Sequence, residues 1–142
     1  MEDFQELLKE KHRNTATVWA TFRDTFEVEV EYIERRELRR IIKKASKKGW
    51  VNHQAVDEID DNRMAEELSA LIRNWRGLTP EVLGQILPID ISGLDPKKEF
   101  PCTDTNKIVL LKEAYDFDLF VQRTCTDLAN FQEEKRQKDL GE

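Results

Sequence analysis

The sequence predicts an α+β fold, mostly α: an N-terminal β-hairpin packed on a bundle of about four helices. Three observations carry this. Phe26, Val28, Val30 and Tyr32 alternate strictly with Glu27, Glu29 and Glu31, the pattern of a strand with one buried and one wet face. Three later segments space apolar residues by threes and fours, the helical period. Helix punctuation surrounds those segments, most clearly at Thr79-Pro80-Glu81 and Pro88.

The 142 residues suit one domain spanning 1–142. Charged residues make up 37%, against about 25% in an average soluble domain. The core is therefore thin beneath a charged surface. Three Trp, two Tyr and seven Phe argue against wholesale disorder. The net charge of −6 excludes a uniformly basic nucleic-acid binder. No stretch approaches the roughly 20 apolar residues of a membrane span. The acidic, amphipathic start MEDFQELLKEKH lacks the apolar region of a secretory signal. Two cysteines are too few for a disulfide framework, so a reducing, cytoplasmic setting is expected.

Along the chain, Phe4, Leu7, Leu8 and Lys11 make residues 1–14 either a short amphipathic helix or a mobile arm. Residues 15–23 (TATVWATFR) are rich in β-branched and aromatic side chains, and pair with 26–32 through a turn at Arg23-Asp24-Thr25. Residues 34–48 (ERRELRRIIKKASKK) predict a helix closed by Gly49, with Leu38, Ile41, Ile42 and Ala45 as its apolar stripe. Residues 50–58 read as a loop. Asp60 or Asp61 caps a helix carrying Met64, Leu68, Leu71, Ile72 and Trp75, which Gly77 ends. A short helix follows Thr79 and stops before Pro88. Residues 88–103, with three of the four prolines, are a loop. Thr103 or Thr105 caps one long helix with Leu110, Ala114, Phe117, Val121, Cys125, Leu128 and Phe131 on a single stripe, about 30 Å long. Residues 132–142 are a frayed polar tail.

No constellation carries obvious chemistry. His12, His53, Cys102 and Cys125 lack metal-ligand spacing, and neither a metal nor a cofactor is expected. Cys125 lies on the apolar stripe as an inert thiol, which leaves Cys102 as the one candidate nucleophile. The pairs Asp60/Asp61, Asp116/Asp118 and Glu133/Glu134 fit capping or solvation. The glycines form no phosphate loop. No catalytic residue is assigned.

Two features invite a partner. Between Ile33 and Trp50 stand Arg35, Arg36, Arg39, Arg40, Lys43, Lys44, Lys47 and Lys48 against only Glu34 and Glu37. As a functional site this is a face for anions or nucleic acid, carried by Arg35, Arg36, Arg39, Arg40, Lys43 and Lys44. The plainer reading is a solvated helix, partly neutralised by Glu27, Glu29 and Glu31. That reading is preferred, because the charge spreads around the helix and no base-stacking motif accompanies it. The second feature is the last helix. Tyr115 and Phe120 lie off its main stripe and, with Phe131, suggest a protein-binding face.

The order of segments also carries a resemblance. A V-x-V-x-Y strand, here Val28, Val30 and Tyr32, runs into an R-x-E-L helix at Arg35–Leu38. A second helix ends in I-x-x-W-x-G-L, here Ile72, Trp75, Gly77 and Leu78. A short helix, a loop and a Leu- and Phe-rich helix follow. Over residues 15–131 this resembles the tail assembly chaperones of long-tailed bacteriophages and their prophage relatives. Residues 1–14 and the strongly basic first helix depart from that pattern. The resemblance implies a non-enzymatic protein of the host cytoplasm that binds the tape measure protein, keeps it soluble and helps recruit tail tube protein. The narrow stripe of the first helix permits a homo-oligomer. The alternatives are a small prophage-encoded nucleic-acid-binding or regulatory protein using helix 34–48, and an enzyme using Cys102.

Overall fold

The computed structural model describes residues 16–140. The arm expected over 1–14 lies outside the described residues. Within them the chain forms five strands and six helices: β1 (Thr17–Phe22), β2 (Phe26–Glu31), α1 (Arg35–Ala45), β3 (Ser46–Val51), β4 (Gln54–Ile59), α2 (Asp61–Ser69), β5 (Ile72–Arg76), α3 (Pro80–Ile86), α4 (Asp104–Glu113), α5 (Tyr115–Cys125) and α6 (Leu128–Leu140). The α+β class holds, with its N-terminal hairpin.

That hairpin is β1–β2. Its turn places Arg23 and Asp24 at positive φ, the sign of the mirror-image turns that match strand twist. The expected alternation is met: Phe26, Val28 and Val30 are buried on the same face of the sheet as Val18 and Phe22, while the glutamates of β2 face outward. The sheet has a third strand, in the order β1-β2-β5 with β5 antiparallel to β2. Here the sequence expectation of a helix from Met64 to Trp75 is corrected. The helix stops at Ser69, and Ile72 and Trp75 belong to a strand. A bulge at Glu29/Val30 puts one extra residue of β5 opposite β2. Ile72 and Trp75, three apart, therefore both face the core and imitate a helical period. Gly77, at φ 82°, ends the strand rather than a helix.

Two further expectations are corrected. Helix 34–48 ends at Ala45, and residues 46–51 leave it as β3 and pair with 54–59, so the expected loop over 50–58 is the tip and second strand of a hairpin. Pairing outweighs the helix propensity of Lys47 and Lys48. The hairpin is closed at its base by Asp60 N–H donating to Ala45 O (2.7 Å). At its tip Asn52 and His53 both take positive φ. The single long C-terminal helix is three helices. Ala114 leaves helical geometry between α4 and α5, and Asp127 starts α6 by accepting from Asn130 N–H (3.1 Å). α6 continues through Leu140, so most of the expected frayed tail is helical.

The core lies between the three-stranded sheet and helices α1, α2, α4 and α5. An aromatic group occupies its centre. Phe22 meets Phe117 edge-on at 5.4 Å, and Phe26 stacks on Phe117 at 5.8 Å. The 88–103 loop is tied down by Trp75 Nε1–H donating to Phe100 O (2.9 Å) and by Phe100 N–H donating to Leu78 O (2.8 Å).

Candidate functional site

The N-termini that frame the site form as local chemistry dictates. Asp60 caps α2 by accepting from Asn62 and Arg63 N–H, and Thr103 caps α4 through Asn106 N–H. With α2 and α4 fixed, a groove of about 490 Å³ opens between α1, the end of β4, α2 and the α4–α5 corner. Ile42, Ile59, Met64, Leu111 and Leu119 make its apolar lining. Tyr115 stands at its rim, 71% exposed. Asp61 and Asp118 supply negative charge, and Lys112 one positive charge. Burial pushes the Asp118 carboxyl up, against the hydrogen bond it accepts from Gln122, and the negative charge of Asp61 adds to the rise. An apolar floor with carboxylates along it suits a ligand that presents apolar side chains flanked by basic ones.

Of the expected protein-binding residues, Tyr115 is on this groove. Phe120 is half-buried, edge-on to Phe22 at 5.2 Å and stacked on Phe117 at 6.1 Å. Phe131 is 5% exposed and packs on Tyr32 at 5.1 Å, so it is a core residue rather than part of an open surface. The three do not form one face. Ile59, Leu119 and Gln122 complete the groove and went unnoticed in the sequence. Ile59 fell between the supposed loop of 50–58 and the cap at Asp60, and a straight helix gave Leu119 and Gln122 no neighbour.

The basic residues divide. Arg35, Arg36, Arg39, Arg40, Lys43 and Lys44 are all exposed on α1. Arg40 pairs with Glu37 (3.3 Å). Arg35 lies in a separate depression with Tyr32 and Arg123. Arg39 and Lys43 share a concavity of about 540 Å³ with Lys47 and Lys48 of β3. The expected neutralisation by β2 is not what forms. Glu27 takes a two-pronged hydrogen bond from Arg76 (2.9 and 3.0 Å), Glu31 one from Arg73 (2.6 Å), and Glu29 one from Thr17 Oγ1 (3.0 Å).

Cys125 is fully buried, and burial pushes its thiol up to about 12. Cys102 is half-buried, and burial raises its thiol as well, which disfavours the nucleophilic thiolate. Among the described residues no group of three His, Cys, Asp or Glu is disposed to hold a metal ion, and no helix is long and apolar enough to cross a membrane.

Compared with known families, curated proteins and solved structures, the chain matches none of them.

Proposed function

We propose that this chain is a non-enzymatic tail assembly chaperone of a long-tailed bacteriophage or prophage, acting in the bacterial cytoplasm on the tape measure protein. The observation that carries the reading is the open groove beneath Tyr115, apolar along its floor and acidic at Asp61 and Asp118. A long helical client offers repeated apolar stripes that aggregate when uncovered. A groove of this kind covers one stripe at a time, and the net charge of −6 keeps the complex dispersed. The V-x-V-x-Y strand running into the R-x-E-L helix supports the reading, whereas I-x-x-W-x-G-L stands on β5 and not at a helix end. Tail tube protein is the proposed next partner, recruited once the client is held.

The test is co-expression with the long helical tape measure candidate encoded nearby, followed by pull-down and a solubility assay. The client is expected to be soluble and to co-purify only when this chain is present. Tyr115→Asp places a charge on the groove rim without touching the core, and should weaken binding by about 2 kcal/mol, roughly thirtyfold. A well-expressed client that stays insoluble and unbound would sink the proposal.

A further inference from the structure

We infer that the concave face between α1 and the β3–β4 hairpin binds single-stranded nucleic acid, with Arg39, Lys43, Lys47 and Lys48 on phosphates and Trp50 stacked on a base. This goes beyond the chaperone reading and does not depend on it.

The first observation is how the fold gathers charge. On a continuous helix these cations would be spread around the axis. The helix instead stops at Ala45, and Lys47 and Lys48 of β3 join Arg39 and Lys43 on the lining of one concavity, Lys48 from the face of the hairpin that carries Trp50 and Lys47 from the other. Among the described residues none of the four takes part in an ion pair. The one carboxylate on the lining is Asp57, the register partner of Lys48. Glu58, the register partner of Lys47, lies with its carboxylate over Gly49, so two carboxylates of β4 offset part of the charge of four cations, and a polyanion relieves the remaining repulsion.

The second observation is independent. Trp50 is 74% exposed, the most exposed of the large apolar side chains among the described residues. Strand alternation puts it on the same face of the hairpin as Ser46 and Lys48, and both of those line the concavity. It lies about 7 Å beyond Lys48 along the strand. Its cross-strand partner is Ala55, too small to cover an indole. An open aromatic face at the end of a cationic track is how proteins hold single strands, phosphates on the cations and an unstacked base on the ring. A duplex offers no free base face. An acidic peptide would meet the cations but leave Trp50 unused.

The test is a fluorescence-anisotropy titration of the full chain with a fluorescein-labelled oligo-dT of about 20 nucleotides. A duplex of equal length and a poly-glutamate peptide serve as competitors. Four phosphate contacts predict a log–log salt slope of about −3, so affinity should fall about fiftyfold between roughly 50 and 200 mM salt. Arg39→Glu with Lys43→Glu should weaken binding more than tenfold and flatten the slope. Trp50→Ala should weaken it about tenfold and leave the slope unchanged. All three substitutions fall on exposed side chains, and the salt slope of the unaltered chain tests the proposal without any variant. Absence of saturable binding at the lower salt would overturn it. So would duplex or poly-glutamate competing as well as oligo-dT, or Trp50→Ala binding like the unaltered chain.

Discussion

Cys125 shows what a single position in this core costs to reach. Its thiol is buried, donates to Gln122 O (3.2 Å), and sits far from its thiolate form at any ordinary pH. A thiol reagent at about pH 8 should therefore leave Cys125 untouched in the folded chain, and label Cys102 more slowly than a free thiol. Both should react fully in urea. Rapid labelling of both without denaturant would mean the core is open. Trp75 gives a second case, because its indole N–H satisfies Phe100 O. Trp75→Phe should lower stability by at least about 1 kcal/mol in a denaturant melt, and should make the 88–103 loop easier to cleave. At this scale the sequence was informative wherever the chemistry is local. Asp60, Thr79 and Thr103 are caps because an oxygen there reaches an N–H two or three residues on. It was silent where a partner lies far along the chain. Nothing near Phe131 announces Tyr32, which buries it.

Among the elements, β5 was illegible for a definite reason. A bulged strand with two core residues three apart has the same apolar spacing as a helix, and only the pairing with β2 separates them. The β3–β4 hairpin was missed for the opposite reason. Its outward residues on both faces, Lys47, Lys48, Asp57 and Glu58, leave no alternation to read. A two-stranded hairpin with so little buried surface is held mainly by its own ladder. Amides of β3 and β4 should exchange with deuterium well before those of β2, the central strand of the other sheet. Equal protection in the two sheets would contradict this account. Asp60→Ala removes the α2 cap and should cost about 1 kcal/mol in a thermal or urea melt.

For the molecule as a whole, two carboxylates pull its pH dependence in opposite directions. The hydrogen bond from Arg76 holds Glu27 below its ordinary value of 4.5. That contribution is present above 4.5 and is lost as pH falls through the native value. Burial raises Asp118 above its ordinary value of 3.8. Its charged form therefore weakens the fold at neutral pH, and this penalty disappears below 3.8. Asp118→Asn should melt higher than the unaltered chain at pH 7, with the gap closing on acidification, whereas Glu27→Gln should melt lower at pH 7 and converge from below. Opposite signs would refute the assignment. The fold class was legible at this scale, since the β2 alternation and the helical spacings follow from where the core is. The groove under Tyr115 was not, because it exists only once the last helical run bends.

That bend has a consequence for how the chain tolerates changes in length. Ala114 is at once the C-cap of α4 and the N-cap of α5, and it is itself buried. One residue inserted there would rotate α5 by about 100° about its axis. Phe117, Val121 and Cys125 would then swing toward solvent, while Asp116 would take the buried place of Phe117 and Arg123 that of Thr124. The proline-rich 88–103 connection has no such phase to keep, and lengthening it costs only the slowly growing entropy of a larger loop. The joint behaves as a fixed coupling between two shafts, and the loop as slack.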